Sequence, residues 1–467
     1  MTHVAAPGAP ARPRLALAAI CTGFFVVLLD TTILNVALPA IGEDLGAATG
    51  DLQWVVNAYT IAFGALLLSG GALSDRLGTL RVYTWGLAGF GVASLLCAVA
   101  PALGLLIAGR ALQGVAAAVM VPSSLSLIAH TFPEPRARAK AVGIWIGSSG
   151  IAASAGPLLG GILVDAVSWR AVFVVNLPVV VAGVLVSRWA VPPVPRGPGR
   201  ALDLPGQALA VLVLVSLSAG FIESGEHPWS SAWVVVPLLV GIVGIGAFIA
   251  VERRHHDPVM PLGLFRERRV AAANTIGLLV NLGYYGQLFV LSLYFQEVMG
   301  LSPLQAGLAF LPLFGATFVL SWAAGHMTAR SGPAKPMAIG LAVGLVGFLL
   351  LLQVGDDTSY AALIPALLLV SLGAFIPAPL SEAVIAAAPQ ARSGVVSGVL
   401  NAMRQTGGAI GVALLGSLVA SGAFVDGMHQ ALLISVATYV LSLGLTLAYL
   451  RDPPGDRDAA PQPAPAR

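Results

Sequence analysis

Asp30 sits in the stretch Leu29–Pro39, LDTTILNVALP, inside the first long apolar run of the chain. Counted from Leu15 at ~1.5 Å per residue, it lies ~22 Å into a hydrocarbon core ~30 Å thick. A carboxylate at that depth is costly. It is expected to face protein or a water-filled cavity and to titrate or bind a ligand there. Thr31, Thr32 and Asn35 follow as polar groups for the same interior wall. Arg110 lies seven residues into the fourth run, ~10 Å below the surface opposite the N-terminus, while Asp30 is ~8 Å below it. The matching depths make an Asp30–Arg110 pair geometrically possible. In such a pair a proton and a guanidinium compete to neutralise one carboxylate, which is the chemistry of a switchable proton site.

Two other charges fall within apolar runs. Arg404, near the midplane with Asn401 and Gln405, suits either a helix–helix hydrogen bond or a substrate contact. Glu382 falls in the last turn before the inner surface, within reach of water. The ninth run carries Tyr284, Gln287 and Tyr294, aromatic and amide groups that could wall a cavity for a flat apolar compound, or pack at an interface.

The elements that must hold these residues are membrane helices. The 467 residues are 57% hydrophobic and only 10% charged, against about 25% charged in ordinary soluble domains. Fourteen apolar runs recur, each about long enough to cross a bilayer as a helix. They are continuous rather than alternating, which argues against a barrel. With the N-terminus inside, 21 of the 24 Lys and Arg fall in inner segments and only Arg170 in an outer loop, the asymmetry of a multi-pass protein with both termini cytoplasmic. The basic lead Arg12 and Arg14 precedes a run too long for a signal peptide, so it reads as an uncleaved first span. Cys21 and Cys97 lie in apolar runs without disulfide or metal spacing.

The longest inner connections bracket spans seven and eight, as though a helix pair were inserted between two six-span halves. GALSDRLG (71–78), at the end of span two, echoes GHMTARSG (325–332) at the end of span ten. The expected division is a cytoplasmic N-terminus 1–14, a six-helix bundle 15–190, a linker with two extra transmembrane helices 191–269, a second six-helix bundle 270–450 and a cytoplasmic tail 451–467.

Three stretches, GALSDRLG, Leu106–Gly114 with Arg110 and Gln113, and Gly147 followed by Gly156-Pro157-Leu158-Leu159-Gly160-Gly161, resemble recurrent motifs of the major facilitator superfamily. The last is similar to the signature of its antiporters. LDTTILNVALP, SWRAVFVVNLP (168–178), DPVMPLGLF (257–265) and NAMRQTGGAIGVALLGS (401–417) resemble the fourteen-helix drug:proton antiporters within that superfamily. Thr79 and Leu80 depart from the basic cluster usual there. The resemblance implies an all-α polytopic fold of two six-helix bundles plus two central helices, rocking about a midplane site. It implies proton coupling through Asp30 and Arg110. It also implies a substrate cavity drawing on Thr31, Asn35, Tyr284, Gln287, Tyr294 and Arg404.

The conformational motifs have physical reasons beside the resemblance. Asp75, Arg76 and Gly78 would form an inner-loop latch that pairs in one state and releases in the other. Gly156, Gly160 and Gly161 remove side chains so that helices approach closely, and Pro157 bends its helix.

Neither Lys140 nor Lys335 follows Gly, so no Walker A motif is present, and neither H-E-x-x-H nor G-x-S-x-G occurs. No basic stripe interleaved with aromatics suggests nucleic acid. The sequence therefore predicts a non-enzyme: a monomer in the cytoplasmic membrane, without cofactor or metal, exporting hydrophobic or cationic drugs against a proton gradient. A dedicated exporter of a single antibiotic or metabolite, giving self-resistance, is the alternative. A non-transporting sensor is remote, because the loops are short.

Overall fold

The computed structural model describes residues 12–192, 194, 203–315, 317–387 and 393–450. The expected tail 451–467, most of the expected N-terminal segment and 195–202 of the linker lie outside them. The described residues are helices and short connections. In chain order these are α1 Pro13–Leu45, α2 Thr49–Leu77, α3 Thr79–Ala98, α4 Leu103–Thr131, α5 Pro135–Ala166, α6 Ala171–Ala190, α7 Leu204–Glu223, α8 Ala232–Glu252, α9 Arg268–Val298, α10 Pro303–Ser331, α11 Ala334–Leu351, α12 Tyr360–Ser371, α13 Pro377–Ala386, α14 Ser393–Ala420 and α15 Phe424–Tyr449. We call the face on which α1 begins the near face, and the opposite one the far face.

Local chemistry sets the helix ends. Pro13 and Pro135 open α1 and α5, where the missing N–H costs nothing. Ser302 and Gln305 form a reciprocal capping box at the start of α10. Among the described residues four glycines adopt the left-handed region that side chains resist: Gly46, Gly78, Gly300 and Gly332. Gly46 and Gly300 follow α1 and α9; Gly78 and Gly332 follow α2 and α10. Within each pair of consecutive turns the interval is the same 32 residues. The echo seen in the sequence thus extends to backbone conformation.

Twelve of the described helices, all but α12, α13 and α14, are long and apolar enough to cross a membrane. The expected span 361–386 is helical but broken into α12 and α13 by a 3-10 turn, Leu372–Phe375, with Pro377 opening the second piece. The expected span 395–420 is the 28-residue α14, whose length suffices but whose Asn401, Arg404 and Gln405 dilute its apolarity.

In the first half, α1 is enclosed by α4, α5 and α6, while α4 also packs on α2 and α3. One core there gathers Ile20, Tyr83, Phe90 and Met120. In the second, α9 packs on α14 and α15, and α15 on α11, around a larger core that includes Phe289, Phe295, Phe348 and Tyr439. The pair α7–α8 packs on itself, and α7 leans on α2 and α14. The most apolar stretch of α8 is only 17% buried, as befits a helix facing lipid.

The halves meet along α2–α14 and α5–α10. On the far side the second seam is tight. A Cβ on Gly161 would lie 2.6 Å from the Pro303 carbonyl, and one on Gly307 would collide with the Pro157 carbonyl. The Ser154 hydroxyl donates to the Phe314 carbonyl at 2.9 Å, and Asp165 accepts from the Ser302 hydroxyl at 3.0 Å and the Leu304 N–H at 3.2 Å. On the near side of the same elements, a Cβ on Gly143, Gly150 or Gly325 would meet no described atom within 4 Å. This seam is closed at the far face and parted at the near face.

Candidate functional site

Two glycines bring the ion pair together. Gly114 lets α4 press against the Tyr59 backbone of α2, and Gly109 lets Cys97 of α3 approach α4. Arg110 and Gln113 then project from one face of α4, three residues apart. Arg110 Nη1 donates to Asp30 Oδ2 and, at 2.8 Å, to Gln113 Oε1; its Nε donates to the Val55 carbonyl at 3.1 Å. The guanidinium carbon stands 4.5 Å from the centre of the Tyr59 ring, a cation–π contact. Both charged side chains are 1% exposed.

Asp30 has further donors. Gln113 Nε2 reaches Oδ1 at 3.1 Å, and Asn176 Nδ2 reaches the same oxygen at 2.9 Å. Ser94 accepts from Gln113 at 2.8 Å and from Asn176 at 3.4 Å. The carboxylate is therefore held by one cation and two amides, drawn from α4 and α6. Breaking one partner of such a buried pair typically costs ~3–5 kcal/mol, because the other charge is left stranded.

The other expected residues divide. Thr31 is partly exposed, its hydroxyl donating to the Val27 carbonyl. Asn35 is nearly buried; its side chain returns to the Thr31 carbonyl, and its own carbonyl accepts from Ser292 of α9. Tyr284 and Tyr285 are partly exposed and meet edge to face at 5.6 Å. Tyr285 is the electrostatic neighbour of both Tyr59 and Arg404. Arg404 lies deep yet keeps some exposure, and its one described hydrogen bond runs to Asn401 at 3.4 Å on its own helix. Gln287 is 2% exposed with neither amide atom bonded among the described residues.

Tyr294 stands apart. It is fully buried among Phe295 and Phe424, its hydroxyl donating to the Gly355 carbonyl at 2.8 Å. Asp75 and Arg76 are exposed and form no ion pair among the described residues. Gly156 and Gly160 fit against Thr32 and Ile33 of α1, and Gly161 against α10, so one helix touches both the acid-bearing helix and the opposite half. Glu382 is exposed at the near end of α13.

Tyr59, Ser94 and Asn176 were not singled out from sequence. The signal was present for Asn176, an amide within an apolar run. Nothing in the sequence marks Tyr59 or Ser94 apart from other hydroxyls in the helices.

Alternating helices, a seam closed at one face and a buried ion pair next to it define a multi-pass membrane transporter. The model of the Major Facilitator Superfamily matches residues 20–412, and the chain belongs to that family. It is 34% identical over 413 residues to the multidrug resistance protein Stp of Mycobacterium tuberculosis, covering 87% of this chain and 76% of that one. It is 38% identical over 417 residues to the cephamycin export protein CmcT of Amycolatopsis lactamdurans, covering 87% and 85%. Its fold is similar to that of an auto-inhibited POT family peptide transporter, with a TM-score of 0.70 at 16% identity, covering 96% and 99%.

Proposed function

We propose that this protein exports hydrophobic or cationic drugs in exchange for protons. Its near face would be cytoplasmic, with two six-helix bundles flanking α7–α8 and fourteen crossings in all. The orientation is supported by the placement of Lys and Arg. The efflux reading is supported by the names of the relatives, Stp and CmcT among them.

The observation that carries the coupling scheme is the Asp30–Arg110 pair, buried at the junction of α1, α4 and α6. In the state described, the far seam is shut and the carboxylate is neutralised by Arg110. A proton arriving on Asp30 would take the place of the guanidinium. Arg110 would then be free to shift on the Tyr59 ring of α2, the helix that packs on α14 of the second half. Each ligand biases the two states only by its differential affinity for them. Thr31, Tyr284, Tyr285 and Arg404 are the proposed walls of the drug cavity. Full burial of Tyr294 favours packing for that residue.

Everted vesicles test the scheme. Drug addition to energised vesicles carrying the native chain should move protons, and Asp30→Asn should abolish both drug uptake and the proton signal. Full proton-coupled transport by that variant would overturn the assignment. Because the relatives include both a multidrug protein and a cephamycin exporter, a toxicity panel of varied antibiotics separates broad export from export of one compound.

A further inference from the structure

We propose that the near-face mouth between α3 and α6 binds the phosphate headgroup of an anionic membrane lipid, gripped by Arg81 and Arg188. A cavity of about 390 Å³ opens there, walled by Leu77, Gly78, Arg81, Thr84, Trp85 and Arg188. Both guanidinium groups are exposed, and among the described residues neither has a carboxylate within ion-pair distance. The Thr84 hydroxyl already donates to the Arg81 carbonyl at 3.0 Å, so the charged donors in the cavity are the two guanidinium groups.

The surroundings select a lipid over a soluble anion. Trp85 and Trp189 are 53% and 61% exposed, large rings of the kind that settle at the headgroup level of a bilayer. Arg81 lies over the Trp85 ring at 6.0 Å, and a third cation, Arg12, stacks on Trp189 at 4.0 Å. Further along the same helices, Val92, Val181 and Leu185 are bare to the outside, a strip that only hydrocarbon can cover. Two unpaired guanidinium groups at the end of an apolar strip match an anionic headgroup with its acyl chains. A free phosphate would use the charge and leave the strip unused. Basic pockets between membrane helices at this level hold acidic headgroups. Only the choice of leaflet rests on the orientation proposed above.

Native mass spectrometry of the full-length protein in mild detergent, titrated with phosphatidylglycerol, is the test. One lipid should be retained preferentially over phosphatidylcholine, and an excess of inorganic phosphate should not displace it. In R81Q/R188Q its dissociation constant should rise about tenfold or more. R81K/R188K should keep most of the affinity, because an ammonium still meets a phosphate as a point charge, and R253Q/R254Q, at two exposed arginines just after α8 that do not line this cavity, should match the native chain. The native chain supplies a second measurement without any variant: brominated phosphatidylglycerol should quench tryptophan fluorescence more than brominated phosphatidylcholine. Equal retention of the two lipids, unchanged binding by R81Q/R188Q, or displacement by inorganic phosphate alone would overturn the lipid site.

Discussion

The two halves carry different chemistry at the same place in the scaffold. The paired glycine turns, Gly46 with Gly300 and Gly78 with Gly332, fix one offset, and that offset sets Asp30 of α1 against Tyr284 of α9. Both helices are deeply enclosed; their most apolar stretches are 61% and 78% buried. Around Asp30 every valence is answered: a guanidinium, two amides and a serine behind them. Around Tyr284 there is an aromatic neighbour and, nearby on α14, an arginine whose one described hydrogen bond is a long contact to Asn401. The carboxylate of the first half is saturated, although Asn176 Oδ1 and the Tyr59 hydroxyl beside it have no hydrogen-bond partner among the described residues, and the arginine of the second is left wanting. A saturated ion pair changes state only when another cation arrives, which suits a proton. An unsatisfied cation beside partly exposed rings is free to meet a bound molecule.

The largest effect should come from exchanging the two positions' roles. Asp30→Asn should remove proton coupling altogether, whereas Tyr284→Phe should retain transport and alter which compounds are carried; flux assays with several drugs check both. If Tyr284→Phe is as damaging as Asp30→Asn, the division between the halves fails.

Next in size is stability. Arg110→Leu strands a buried carboxylate and should lower folding stability by about 3–5 kcal/mol, read as a fall in melting temperature in detergent. Adding Asp30→Asn to it should restore part of the loss. Arg404→Gln should leave the melting temperature close to native, since little is broken.

The seam offers a contrast of about 1–3 kcal/mol. Gly307→Val inserts side-chain atoms against the Pro157 carbonyl and should disfavour far-face closure; Gly150→Val, in open space, should not. Accessibility of a cysteine placed at Leu304 to a membrane-impermeant thiol reagent distinguishes them. The smallest expected effect is on the turns themselves. Gly78→Ala and Gly332→Ala should each cost on the order of 1–2 kcal/mol for a left-handed backbone, and near-equal losses in thermal denaturation would sharpen the equivalence of the halves.

The ion pair was legible in the sequence because helix rise is a constant: counting residues gave Asp30 and Arg110 matching depths, and the cost of burial demanded a partner. Their neutral companions were not legible. Ser94, Asn176 and Tyr59 become partners only through the approach of α3, α6 and α2, and a hydroxyl or amide has many affordable places in a helix bundle. Tyr294 shows a second limit. Polar groups are spread around α9, Asn274, Asn281, Gln287 and Ser292 all being buried, so its sequence carries no single stripe to say which face meets the cavity, and Tyr294 lies buried among Phe295 and Phe424. The break between α12 and α13 had a signal, Gly373 followed by Pro377 and Pro379, which the apolarity of the run outweighed in the reading of a single span.

The far seam between α5 and α10 consists largely of carbonyl oxygens resting on glycine, with three hydrogen bonds from Ser154, Ser302 and the Leu304 N–H across it. Such a surface has no interlocking teeth. Separating it breaks no helical hydrogen bond, so on this seam the polar resistance to opening resides in those three bonds, beside the apolar packing of Leu159 and Leu163 with Phe310 and Phe314. Two of the three bonds end on a single carboxylate, Asp165, so one side chain is the catch of this seam, while Ser292 and Gln296 of α9 hold the Asn35 and Val36 carbonyls of α1 across the same halves.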